Sequence, residues 1–253
     1  MADQAGEADD IATVMAAGVL AYLGADVAHH ALGHGGACLA LGGRILLLSS
    51  IQTRCTVTGA AVDVAGPLAN LLLGLASWVA AVAVRSERPA LKLLLLMSAG
   101  FNLFWLEGQL IFSAAARTDD WDQLIRGLSP SQAWRAGLIA IGAGGYGLTV
   151  RGLGAVGGAF GERLRRLMVP AYLAAGLTAC LTGLRDPGGL PAILHHAAPQ
   201  ALVLPLGLFF LKPSPAEPVG RIERSFALTL CALTVAGLSI AWLGPGLAPA
   251  ALD

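Results

Sequence analysis

Asp26-Val27-Ala28-His29-His30-Ala31-Leu32-Gly33-His34 sits inside a long apolar run near the N-terminus, and its reading decides the fold. His30 and His34 are four residues apart. On an α-helix that spacing puts two imidazoles on one face, about one turn apart, within reach of a single metal ion. Asp26 falls one turn earlier on the same face, where it can orient His30 by accepting its other ring N–H. A lone histidine in such a run reads as a bond to a neighbouring helix. Three histidines and an aspartate in one short stretch read as function, because ionisable groups are expensive in an apolar span.

The rest of the chain supplies the apolar surroundings. Of its 253 residues, 56% are hydrophobic and 13% charged, against roughly 25% charged in soluble domains. The mean hydropathy is +0.69. An integral membrane protein in a lipid bilayer is expected, with no room left for a soluble domain of ordinary size. A net charge of zero gives no electrostatic footprint for nucleic acid. Cys38, Cys55, Cys180 and Cys231 form no CxxC pair, so neither a zinc ribbon nor a disulfide framework is expected. Cys38 lies about 12 Å along a helix axis from His30, too far to share its metal, and reads as a small packing residue. The start of the chain holds Asp3, Glu7, Asp9 and Asp10 and no basic residue, unlike a secretory signal peptide.

Seven apolar segments of spanning length follow one another: about 11–41, 60–84, 90–116, 132–150, 167–184, 190–211 and 225–243. Between the first two, Arg44 to Thr58 is β-prone and too short to span, which predicts a small hairpin at the membrane edge. The fold class expected is an all-α polytopic membrane protein of about seven transmembrane helices. The loops after the second, fourth and sixth segments carry ten of the sixteen Lys and Arg residues, which favours a cytoplasmic N-terminus.

Two further motifs lie at membrane depth. Asp63-Val64-Ala65-Gly66-Pro67-Leu68-Ala69-Asn70 opens the second segment, where Gly-Pro permits close helix packing and Asn70 offers an amide. The third segment carries Asn102-Leu103-Phe104-Trp105-Leu106-Glu107-Gly108, with a carboxylate that needs a proton, a partner or a metal. His195-His196 lies in the sixth, so all five histidines fall in two clusters. One of that pair is a candidate additional ligand, and an interfacial role for it is equally open.

In this order the three N-terminal pieces resemble the site-2 protease family of intramembrane zinc metalloproteases. His30-Ala31-Leu32-Gly33-His34, followed by Gly42-Gly43, is similar to the family's His-Glu-x-x-His helix and its glycine exit. Ala65 to Asn70 resembles the Gly-Pro-x-x-Asn signature, and Asn102 with Glu107-Gly108 resembles a degraded Asn…Asp-Gly helix. The resemblance divides the chain into a protease-like three-helix core over 1–120 and additional helices over 121–253. It implies zinc on His30, His34 and Glu107, supported by Asp26, Asn70, Gly66, Pro67 and Asn102. It also puts Ala31 where the family has its general base, and a methyl group cannot accept a proton. His29 and Asp26 are the candidate substitutes.

The expected function is therefore a zinc-holding, proteolytically impaired homologue in the bacterial inner membrane, acting on or with a transmembrane protein partner. The alternatives are an active zinc protease with a substituted base, and a haem- or copper-binding protein using the two histidine clusters.

Overall fold

The computed structural model describes residues 8–248; Asp3 and Glu7, which enter the reading of the acidic start, lie outside them. All seven apolar segments are helical. The elements are α1 (Ile11–Ala40), a hairpin of β1 (Ile45–Leu48) and β2 (Thr53–Cys55), α2 (Ala60–Ala83), α3 (Pro89–Ala116), short α4 (Asp119–Ile125), α5 (Ser131–Gly157), α6 (Arg163–Gly183), α7 (Gly189–Phe210) and α8 (Phe226–Leu243). Six of them, all but α4 and α5, are long and apolar enough to cross a membrane. Helix α5 matches them in length but is interrupted by glycines and by Arg135 and Arg151.

Helices α1 and α3 form the centre. Tyr22, Phe101, Phe104 and Trp105 are buried in a common core, with the Tyr22 and Trp105 rings stacked at 6.5 Å. Helix α8 is the most peripheral and turns most of its apolar surface outward. At one end of the bundle Asp10 caps α1 by accepting from Thr13 N at 2.8 Å. Arg163 there reaches Asp9 at 3.0 Å and ties the start of the chain to the loop before α8. At the other end the hairpin covers the C-terminal part of α1, and Leu48 of β1 bridges to Leu247.

Two features depart from expectation. Cys38 and Cys55 are disulfide-bonded, stapling α1 to β2. Cys38 is thus no mere packing residue: the hairpin folds back over α1 and carries Cys55 to it, although the two are 17 residues apart. The histidine stretch is also not α-helical, because Ala28–Gly35 forms a π-turn within α1. Residues five apart then share a face, and such turns mark functional positions.

Candidate metal centre

The π-turn adds His29 to the expected pair. His29 and His34, five residues apart, bring their Nε2 atoms to 3.1 Å. The Oδ2 of Asp120, on α4, lies 3.4 Å from the first and 3.3 Å from the second. Donors about 2.0–2.1 Å from a tetrahedral metal are separated by about 3.3 Å, so this triangle is one face of a zinc-sized coordination shell. His30 joins them: ligand atoms of His29, His30 and His34 all lie within 4.8 Å of one another.

The opposite edges of the rings are tied down. His29 Nδ1 donates to Asn70 Oδ1 at 2.5 Å, and His34 Nδ1 donates to the Val62 carbonyl at 2.7 Å. Asn70 cannot turn its amide around, because its Nδ2 donates to Ala25 O at 3.2 Å and to Asn102 Oδ1 at 2.9 Å. Asn102 in turn donates to Ser98 O. Both imidazoles therefore carry their proton on Nδ1 and turn an Nε2 lone pair inward. Two nitrogen lone pairs and a carboxylate oxygen facing one another at these distances require a cation between them, either an added proton or a metal.

Backbone packing makes this geometry reachable. A Cβ on Gly66 would lie 2.4 Å from His34 Nε2, and one on Gly33 would lie 2.5 Å from Gly66 Cα. Only glycines let α1 and α2 cross this closely, which seats His34 on the backbone of α2. Pro67 lacks the N–H that Asp63 O would accept from it, which loosens α2 at this crossing. Asp119 has φ +72°. This left-handed residue turns the chain sharply after α3, so that Asp120 faces the site. Gln109 Nε2 holds both carboxylates, at 3.0 Å from Asp119 and 2.9 Å from Asp120. Burial opposes charge on Asp120, but when the facing rings gain a proton on Nε2 their hydrogen bonds outweigh it and hold the carboxyl well below the ordinary carboxylate range. Asp119 is raised instead, first by burial and then by the charge of Asp120.

The structure places three residues of the sequence-derived site, one ligand, one supporting residue and the base position, otherwise than expected. Glu107 does not face the site; its Oε1 accepts from Thr149 Oγ1 at 2.6 Å across the α3–α5 contact. Asn102, Trp105 and Gln109 form the site-facing stripe of α3, and Glu107, two residues past Trp105, points about 200° away from it. Asp26 Oδ1 stands 3.9 Å from His30 Nε2, too far to orient it by a hydrogen bond. Ala31 is not among the residues lining the cavity in front of the site, whereas His30 is, with both ring nitrogens unpartnered.

That cavity, of about 800 Å³, is walled by the three α1 histidines, the hairpin, α4 and the α7 residues His195, His196, Gln200 and Leu204. Trp105 stacks on His29 at 4.9 Å and closes its inner end. Sequence reading missed Asp120, Gln109 and Trp105. The i, i+3, i+7 spacing of Asn102, Trp105 and Gln109 is the signal that would have found two of them. The chain matches no family model, no curated protein and no solved structure.

Proposed function

We propose that this membrane protein is a metal-dependent hydrolase built like the site-2 proteases, with zinc held by His29, His34 and Asp120 and with His30 as the proton acceptor. The observation that carries the reading is the triangle of 3.1, 3.3 and 3.4 Å between three acceptor atoms. Two imidazoles and a carboxylate, with room for a fourth position, are the donor set of a catalytic rather than a closed structural zinc site. Bound zinc would supply Lewis-acid polarisation of water and of a carbonyl.

The chain's own residues supply the rest. Asn70 and Val62 O fix the tautomers, and Gln109 orients Asp120. His30, whose two ring nitrogens have no partner, accepts a proton in the cavity. The cavity holds about 800 Å³ and is lined by Thr53, Arg54 and Cys55 of β2, which favours a peptide over a small solute.

The site also has a side. Disulfides persist in oxidising compartments, and Cys38–Cys55 lies at the hairpin end. The ten-to-six excess of Lys and Arg lies at the opposite end, with the N-terminus. Both support a reading in which the cavity opens on the non-cytosolic face of a bacterial inner membrane, with a cytoplasmic N-terminus.

The test is cleavage of a transmembrane peptide by detergent-purified, zinc-loaded protein. Cleavage that stops with a chelator, and that falls at least about 100-fold in His30→Ala while bound metal stays constant, supports the reading. Metal bound without cleavage in either form overturns it in favour of a binding or assembly role.

A further inference from the structure

All five histidines of the chain line one cavity, although two of them come from α7, far along the chain from the other three. The inner triangle accounts for His29 and His34. His30, His195 and His196 remain. His30 is buried with neither ring nitrogen bonded, and His196 lines the same cavity. On α7, Ile193–Ala197 and Pro199–Val203 are again π-turns, whose five-residue register brings His195 and Gln200 towards one face. The Oε1 of Gln200 is buried without a partner. A polar acceptor left unbonded inside a membrane protein marks a place for a ligand that donates or is positive. The charged lining of the cavity has the matching sign, since Asp63, Asp119 and Asp120 face one arginine, Arg54. Such a wall concentrates cations.

We propose that His195, His196 and Gln200 form an outer binding position for a divalent first-row transition cation, separate from the inner centre, with His30 as the step between the two. Imidazole with one amide oxygen suits zinc, cobalt, nickel or copper and not magnesium or calcium. The outer position is open to the cavity, since His195 and His196 are exposed there, whereas the inner histidines are buried. A cation captured there would share one cavity with the buried triangle. The step through His30 rests on the inner triangle being a metal site; the outer position does not, and neither needs any hydrolysis.

The test is titration of chelator-treated, detergent-purified full chain with cobalt(II), read by ligand-field absorption and by bound metal per chain. Wild type is expected to bind two equivalents, the second at least tenfold more weakly. His195→Gln/His196→Gln is expected to keep one tight equivalent and to fill it more slowly. His29→Ala/His34→Ala is expected to keep only the weak one. A single equivalent in wild type that the α7 variant keeps, or two in the α7 variant, overturns the outer position. If the α1 variant loses nothing while the α7 variant loses one equivalent, the inner reading fails and the outer one stands. Unchanged melting temperatures separate these results from misfolding.

Discussion

Helix α3 carries two acidic arrangements at opposite flanks, and they are built differently. On one flank Asn102, Trp105 and Gln109 support the histidines and Asp120. The Nδ1 atoms of His29 and His34 and the amide of Asn70 are bonded outward, and three acceptors are left pointing inward. On the other flank Glu107 has a single partner, Thr149, and its second oxygen has none. An ionisable group at membrane depth is therefore not enough to make a site. What makes one is convergence of acceptors whose other bonds are already fixed, because only that arrangement gains more from a cation than from a proton and a neighbour.

This contrast can be broken most directly at the ligands. His29→Ala/His34→Ala should abolish tight metal binding, and Asp120→Ala should weaken it by at least about 100-fold, while Glu107→Ala leaves the metal content unchanged. Elemental analysis of dialysed protein decides it, and a loss in Glu107→Ala would restore that residue to the site. Next in size is Gly66→Val. Its branched side chain must occupy the space of the His34 ring, so metal should be lost with all ligands still in place.

The outward bonds come next. Asn70→Ala frees the His29 ring and should weaken metal binding about 10- to 100-fold, as measured by chelator competition. Cys38→Ser should cost about 3 kcal/mol of stability, the entropic value for a loop near the 17-residue separation observed. Its metal affinity should change less than that of Asn70→Ala. Smallest of all is Glu107→Gln. The amide oxygen still accepts from Thr149, so neither bound metal nor melting temperature should move appreciably. A large shift there would mean that the second flank holds a charge of its own.

The sequence was informative wherever local pattern and solvent decide the outcome. Apolar runs of spanning length made the helices, and the hairpin appeared between the two expected breaks, because both follow from hydropathy and local β-propensity. The histidine stretch was likewise legible as a cluster, since three imidazoles in an apolar helix are costly anywhere. Their pairing was not. Four-residue spacing selects His30 and His34 only if the helix is regular, and one π-turn moves the pair to His29 and His34. Nothing local announces that turn. The third acceptor was hidden for the same reason: Asp120 lies in a short helix that reads as an acidic loop, and only the fold back after α3 brings it to α1. Glu107 looked better in one dimension because it sits inside a span. The sequence by itself determined which segments are helical and that α1 carries metal-capable side chains. Tertiary structure alone decided which atoms converge, because angular position around a helix and the closeness of a Gly33–Gly66 crossing are properties of packed neighbours.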